Sequence, residues 1–166
     1  MDFIQWKEIP GFPEYSISDH GIVYNDNWGR QLTPSVNQHG VAQVGLMHKG
    51  VQYKRGVALL VASLYLDPHP STAFNTPINL NGDRLYNHVD NLMWRPRWFA
   101  VKYHRQFHMD HRQGFGEPIV EVKTGEEFPT SWEAAVKYGL LDREIMLATI
   151  NRTYVWPTFQ RFRVLR

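Results

Sequence analysis

The segment from Asn79 to Trp94 constrains the fold of this 166-residue chain more than any other. It reads N-L-N-G-D-R-L-Y-N-H-V-D-N-L-M-W. Turns favour Gly, Asn and Asp, because Gly adopts a positive φ freely and the short polar side chains hydrogen-bond to the nearby backbone. The segment therefore predicts a hairpin at Asn81-Gly82, with a helix or turn beginning between Asn87 and Trp94.

This segment resembles the ββα-metal core of the phage HNH homing endonucleases, whose pattern is roughly N-H-x-D-G-N-x-x-N-N-x-x-x-N-L-x-W. The scaffold residues of that pattern are matched by Gly82, Asn87, Asn91, Leu92 and Trp94. In that family the asparagine matched by Asn91 braces the loop through hydrogen bonds. The resemblance implies a ββα core, here within residues 49–97.

The positions that carry the chemistry of the family hold other residues. The resemblance places Asn79 at the general-base histidine, Ile78 at the metal ligand before it, and Ala100 at a second ligand six residues after the tryptophan. Hydrolysis requires a base and a cation held by ligands. An amide has no useful pKa, and alkyl groups do not bind metal ions. We therefore expect no catalytic residue and no cofactor; an active variant of the site would need Mg²⁺ or Mn²⁺.

Other residues near the core remain candidates to replace the missing base and metal ligands. Asn79, Asn81 and Asp83 form a candidate oxygen cluster, although turn formation around Gly82 is the favoured interpretation. His88 is a candidate displaced base, and we interpret it as a surface residue.

A second candidate metal site lies further along the chain. His104 and His108 are four residues apart on a helix predicted over residues 98–113, which suits zinc or another soft divalent ion. Exposed or phosphate-facing histidines are the favoured interpretation.

The N-terminal segment predicts an antiparallel β module over residues 1–48. Tyr15, Ile17, Ile22 and Tyr24 alternate with polar residues, and a turn separates the two pairs. The segment resembles the small module at the N-terminus of many phage homing endonucleases, with the signature W-K-x-I-x-G-F/Y-x-x-Y-x-V-S-x-x-G-x-V. A second strand pair is predicted at residues 41–46 and 51–53, and an apolar helix at residues 57–66.

The C-terminal segment, residues 117–166, predicts a strand pair followed by a helix-turn-helix. A capping box at Thr130 and Glu133 starts the first helix, Gly139 ends it, and Asp142 is expected to cap the second, over residues 143–151. The order of motifs resembles the DNA-binding repeat at the C-terminus of HNH and related homing endonucleases.

Basic residues concentrate between the predicted core and the last module. Residues 94–116 carry a net charge of +4, against −2 for residues 1–93 and zero for residues 117–166. A local cationic segment attracts phosphates even on a near-neutral protein. The predicted DNA contacts are Arg95, Arg97, Lys102, Arg105 and Arg112, with Arg143, Thr149, Asn151 and Arg152 around the second helix of the last module.

The sequence as a whole predicts an α+β protein of four parts: residues 1–48, the core at 49–97, a basic linker helix at 98–116 and residues 117–166. The chain has no cysteine and no run of about 18 apolar residues, so disulfides and a membrane span are excluded. No signal peptide is visible, and a cytoplasmic location is expected.

We interpret the chain as a catalytically inactive HNH-type protein, encoded by a phage, that binds double-stranded DNA and regulates transcription or a similar process. Two alternatives stay open. One is an active nicking endonuclease with a rearranged site. The other is an inhibitor or modulator that binds a host protein such as a polymerase.

Overall fold

Short antiparallel sheets and four helices make up the described chain, which is therefore α+β, as predicted. The structure is a computed structural model that describes residues 3–109 and 116–166. Two compact units are present, Met1–Ala100 and Val101–Arg166. The strands are β1 Trp6–Ile9, β2 Phe12–Ser18, β3 Val23–Asn25, β4 Arg30–Leu32, β5 Ser35–Val36, β6 Ala42–His48, β7 Val51–Gly56, β8 Thr76–Asn79, β9 Leu92–Arg95, β10 Ile119–Glu121, β11 Glu127–Phe128 and β12 Phe162–Val164. The helices are α1 Val57–Tyr65, α2 Arg97–Gln106, α3 Ser131–Tyr138 and α4 Asp142–Asn151.

Two sheets of the first unit enclose its core together with α1. Strands β1 to β4 form one antiparallel sheet in sequence order, and β5 to β7 form the other. Along β3 and the first part of β6, buried residues alternate with partly buried ones, as in a half-buried sheet. Ile17 in β2, Leu46 in β6 and Val61 in α1 are fully buried in this core. The predicted second strand pair and apolar helix are therefore confirmed.

The inward face of β3 differs from the prediction by one residue. Val23 is buried and pairs with Ile17, whereas Ile22 and Tyr24 are only partly buried. Because strand side chains alternate between faces, pairing through Val23 turns Tyr24 away from the core. The turn between β2 and β3 shifts the inward face of β3 by one residue, and the alternation of apolar and polar residues does not predict this shift.

The HNH-like segment forms two paired strands that are joined by a loop over residues 80–91, rather than a hairpin that turns at Asn81-Gly82. β8 and β9 pair antiparallel, with Asn79 opposite Leu92 and Ile78 opposite Met93. A short 3-10 turn at Val89–Asn91 precedes β9. The helix or turn expected to begin between Asn87 and Trp94 is this 3-10 turn, and Leu92–Arg95 then forms a strand that pairs with β8. Helix α2 follows β9 and completes the ββα order.

The second unit has its own core around the predicted helical pair. β10 lies between β11 and β12, and Ile119, Leu140 and Ile145 are fully buried. Gly139 ends α3 in the left-handed conformation, at φ 65°, as predicted. Thr130 caps α3 by accepting a hydrogen bond from the amide of Trp132 rather than that of Glu133.

Asp142 does not cap α4, in contrast to the prediction. Leu141 is the capping residue and makes no side-chain cap. Asp142 is the first residue of the helix, and its buried carboxylate accepts a hydrogen bond from the hydroxyl of Ser131 in α3. Its amide donates to Gln106 Oε1 at 3.0 Å. The acidic side chain therefore ties the two helices together.

Within residues 3–109 and 116–166, no helix is both long enough and apolar enough to span a bilayer.

Candidate functional site

Four asparagines hold the loop between β8 and β9, which we call the asparagine loop (residues 80–91). Asn91 is the central brace: its Nδ2 donates to Asn81 Oδ1 at 2.9 Å and to the Tyr86 carbonyl at 2.8 Å. Its Oδ1 accepts from the Asn81 amide at 3.0 Å. The side chain is only 7% exposed. Loop bracing by Asn91 is therefore present here as the family resemblance implied.

Asn79, at the position matched to the general base, is a second brace of the same loop. Its Nδ2 donates to the Tyr86 carbonyl and to Asn87 Oδ1, both at 2.9 Å. Asn87 Nδ2 in turn donates to the Arg84 carbonyl at 3.3 Å. Asn79 is 2% exposed. An amide that donates two hydrogen bonds to the loop stabilises the loop and has no proton-accepting role.

The positions matched to the metal ligands are apolar and enclosed. Ile78 is fully buried within β8, and Ala100 is 4% exposed in α2. Hard divalent cations require oxygen ligands, and softer ones require imidazole or thiolate. Neither side chain supplies such an atom. The residues at these positions do not fit the divalent cation that the HNH fold implies.

The oxygen atoms suggested as a replacement cluster take part in the turn. Asn81 Oδ1 accepts from the Asp83 amide at 2.9 Å, and Asp83 Oδ1 accepts from the Leu85 amide at 2.9 Å. Gly82 has a φ of 77°. These are the hydrogen bonds by which Asn and Asp form turns. The favoured interpretation, turn formation, accounts for them.

His88 is not a surface residue, in contrast to our interpretation from sequence. Its side chain is 18% exposed, and its Nδ1 accepts a hydrogen bond from the Asp90 amide at 3.0 Å, which caps the 3-10 turn. The ring of His20 lies edge-on to it, with 4.3 Å between the ring centroids. His20 Nδ1 lies 2.7 Å from Asp19 Oδ1.

Sequence reasoning missed this pairing of the β2–β3 turn with the asparagine loop. Burial acts to raise the pKa of Asp19, but hydrogen bonds with His20 and the Gln5 amide and the nearby imidazoles outweigh it, so the pKa is lowered. The Val89 amide donates to the Asp19 carbonyl at 2.8 Å. Nothing in the sequence links His20 to His88, because the two lie far apart along the chain. The Asp-His-Gly sequence of the β2–β3 turn predicts only that the chain changes direction there.

The predicted cations of the linker divide into exposed and enclosed residues. Arg97, Lys102 and Arg105 are exposed on α2. Arg95 is only 6% exposed: its guanidinium donates to the Trp94 carbonyl and lies 5.6 Å from the Phe99 ring centroid. Because so enclosed a side chain is not available to a phosphate, the prediction of a DNA contact at Arg95 is withdrawn. Arg112 lies outside the described residues.

The predicted linker helix ends earlier than expected, and this separates the two histidines. α2 stops at Gln106, so His104 lies within the helix, whereas His108 lies in the turn that follows. The regular i, i+4 spacing on which the metal hypothesis depended is therefore absent. Across residues 3–109 and 116–166, no three His, Cys, Asp or Glu side chains converge as a metal site would require.

The candidates on the last module differ in how they are oriented. Arg143, Asn151 and Arg152 are exposed along or just after α4. Thr149 is partly buried, and its hydroxyl donates to the Ile145 carbonyl one turn back at 2.7 Å. That hydrogen bond turns Thr149 toward its own helix, so Arg143, Asn151 and Arg152 are the better placed for DNA.

Four further exposed cations in the first unit escaped the sequence reasoning. Residues 27–66 contain four Lys or Arg and no Asp or Glu. All four cations are exposed on β4, β7 or the β6–β7 turn: Arg30, Lys49, Lys54 and Arg55. The near-neutral total for residues 1–93 concealed them, because the acidic residues lie before and after this stretch. A charge count over a shorter window would have found it.

The sequence and the fold both resemble those of known proteins. The profile of the NUMOD4 motif matches residues 5–47. A mimivirus protein described as an uncharacterized HNH endonuclease (L247, Acanthamoeba polyphaga mimivirus) is 36% identical over 95 residues. The chain is related to the HNH endonucleases. The aligned region covers 54% of this chain and 23% of that relative, so the HNH-like chain spans about a quarter of the viral protein.

The fold comparison covers nearly the whole HNH-like chain. A solved structure titled "DNA binding and cleavage by the HNH homing endonuclease I-HmuI" superposes with a TM-score of 0.54 at 20% identity. The match covers 97% of this chain and 98% of that one. At this identity the likeness concerns the fold.

Proposed function

We propose that this protein binds double-stranded DNA without cutting it. The observation that carries the proposal is the hydrogen bonding of Asn79. At the position matched to the general base, an amide donates to Tyr86 and Asn87 and so closes the asparagine loop. The scaffold is thus stabilised by a residue that has no catalytic chemistry. Ile78 and Ala100, at the positions matched to the metal ligands, are buried and apolar, so this site also lacks ligands for a cation.

DNA binding does not depend on those positions. Phosphate contacts supply most non-specific affinity and require only cations and backbone amides. Such cations are exposed at Arg97, Lys102 and Arg105 on α2, at Arg143 and Arg152 around α4, and along β4 to β7. The proposal includes the four parts predicted from the sequence, which are residues 1–48, 49–97, 98–116 and 117–166. A protein of this kind acts by occupying a site, as a phage regulator of transcription or of a similar process would.

A paired assay tests the proposal. Gel-shift titration at about 50 mM salt, where phosphate contacts are strong, should show binding to duplex fragments. Incubation with supercoiled plasmid and Mg²⁺ or Mn²⁺ should leave the plasmid uncut. Absence of binding at low salt would refute the first half, and metal-dependent nicking by the purified protein would refute the second.

A nicking endonuclease with a rearranged site is the second candidate, and one observation favours it. His20 is oriented by Asp19 at 2.7 Å, which is how a carboxylate positions a general base, and the ring of His88 lies beside it. If this candidate is right, the plasmid is nicked, and His20→Ala abolishes nicking while DNA binding persists. His39→Ala, an exposed histidine of the same unit, is the matched control.

A further inference from the structure

The outward face of α4 is apolar where a DNA-reading helix would be expected to be polar. Leu147 is 42% exposed and Ile150 is 62% exposed. With 3.6 residues per turn, these two lie on one side of the helix, one turn beyond Arg143. We call Leu147 and Ile150 the apolar strip. The opposite side, with Ile145 and Ala148, is buried.

Core packing does not explain the apolar strip. The core of this unit is formed by other residues, among them Leu140, Ile145 and Ala148. Thr149, the polar residue between the two members of the strip, donates its hydroxyl to the Ile145 carbonyl instead of projecting outward. The two side chains therefore form a small exposed apolar patch, and the charges around such a patch decide what it can contact.

The charge distribution of this module identifies the class of partner. Residues 117–142 carry two Lys or Arg and six Asp or Glu, whereas residues 143–166 carry five Arg and one Glu. The net charge of zero therefore conceals an acidic half, −4, and a basic half, +4, that begins with α4. Arg143 is exposed on the same side of α4 as the apolar strip, and Arg152 is exposed just after the helix. This combination suits a polyanion that offers apolar groups between its charges.

Duplex DNA offers such groups in its major groove. The methyl group of thymine is the apolar feature there, and apolar side chains contact it. In a helix-turn-helix, the second helix is the one that enters the major groove. We propose that Leu147 and Ile150 contact thymine methyl groups, so that the protein prefers thymine-containing duplexes. This inference rests on the proposed DNA binding.

The test compares thymine with deoxyuridine, which has the same hydrogen-bonding edge and lacks only the methyl group. Short duplexes of alternating adenine and thymine compete in gel shifts with their deoxyuridine counterparts, against the intact chain. We expect the thymine duplex to bind about fourfold more tightly for each methyl contact. The variant with Leu147→Ala and Ile150→Ala should bind both duplexes equally.

A matched control separates this effect from changes in DNA shape or protein stability. Leu59→Ala removes a leucine of similar exposure, 45%, on α1 and should keep the preference for thymine. Circular dichroism should show that both variants are folded, because the truncated side chains are exposed. Equal binding of the two duplexes by the wild-type protein overturns the inference and leaves DNA binding intact. So does a preference that survives truncation of the strip. Failure to bind either duplex refutes the proposed function itself.

Discussion

At the scale of single residues, the asparagine loop separates the structural role of the HNH-like sequence from its chemical role. The loop needs side chains that both donate and accept hydrogen bonds over short distances, and amides do so without ionising. Asn91 uses both kinds of atom, and Asn79 uses its donor twice. An asparagine at position 79 therefore stabilises the loop independently of any reaction.

Replacing Asn91 tests how much the loop depends on this brace. Asn91→Ala removes three hydrogen bonds and leaves the Asn81 amide without its acceptor, whereas Asn81 Oδ1 keeps the Asp83 amide and the Tyr86 carbonyl keeps Asn79. Because Asn91 is itself buried and makes all three hydrogen bonds, we expect a loss of about 2 to 3 kcal/mol in the free energy of unfolding. Urea denaturation measures it. The exposed Asn27→Ala should change little, and an equal effect of the two substitutions would contradict the role given to Asn91.

Glu121 is expected to make the second unit sensitive to acid. Burial acts to raise its pKa, but hydrogen bonds from the Thr124 side chain, the amides of Thr124 and Lys123 and the charge of Lys123 outweigh it, so the pKa is lowered. A carboxylate whose folded-state pKa is depressed stabilises the fold above its ordinary value of 4.5. That stabilisation is lost as pH falls through the lower, folded-state value.

The pH dependence of thermal unfolding measures this contribution. Glu121→Gln should lower the melting temperature at neutral pH and flatten its decline below the ordinary carboxyl range, because no carboxylate remains to be protonated. The exposed Glu127→Gln on the adjacent β11 should reproduce the wild-type curve. Parallel acid profiles for Glu121→Gln and the wild-type protein would show that Glu121 does not carry the effect.

At the scale of elements, local chemistry predicted helices better than strands. Thr130 and Gly139 fixed both ends of α3, because caps act over a few residues. The role of Asp142 was not predictable, since its partner Ser131 lies in another helix. β9 was missed for a related reason: a strand exists through its pairing with β8, and that pairing spans the asparagine loop.

Gly139 gives a direct test of the α3–α4 turn. Its φ of 65° lies in the left-handed region, where a Cβ atom is unfavourable, so Gly139→Ala should destabilise the protein by about 1 kcal/mol. Gly56 has a φ of −69° and room for a Cβ, whose closest neighbour would be Val41 at 3.6 Å. Gly56→Ala is therefore the control and should be close to neutral in the same chemical denaturation. Equal losses would remove the conformational explanation.

At the scale of the whole molecule, composition concealed the surfaces that bear on function. A net charge of +2 predicts little about a partner, because opposite charges are averaged over segments that face different surroundings. The acid-free stretch 27–66 and the basic half that begins at α4 emerge only when charge is counted along short segments and exposure is known. The linker cations were predicted, yet Arg95 is enclosed, because it is the last residue of β9 and its guanidinium lies against the Phe99 ring.

The distribution of charge predicts how salt weakens DNA binding. Removing one cation that binds a phosphate should reduce the slope of log affinity against log salt by about 0.9. Arg143→Gln and Arg152→Gln, at the proposed phosphate contacts around α4, should therefore each flatten the slope by that amount. Lys137 is the matched control: it is half-exposed on α3, in the acidic half, and forms an ion pair with Glu126. Lys137→Gln should leave the slope unchanged. If all three substitutions flatten the slope alike, affinity follows the net charge of the molecule, and α4 has no special position against the duplex.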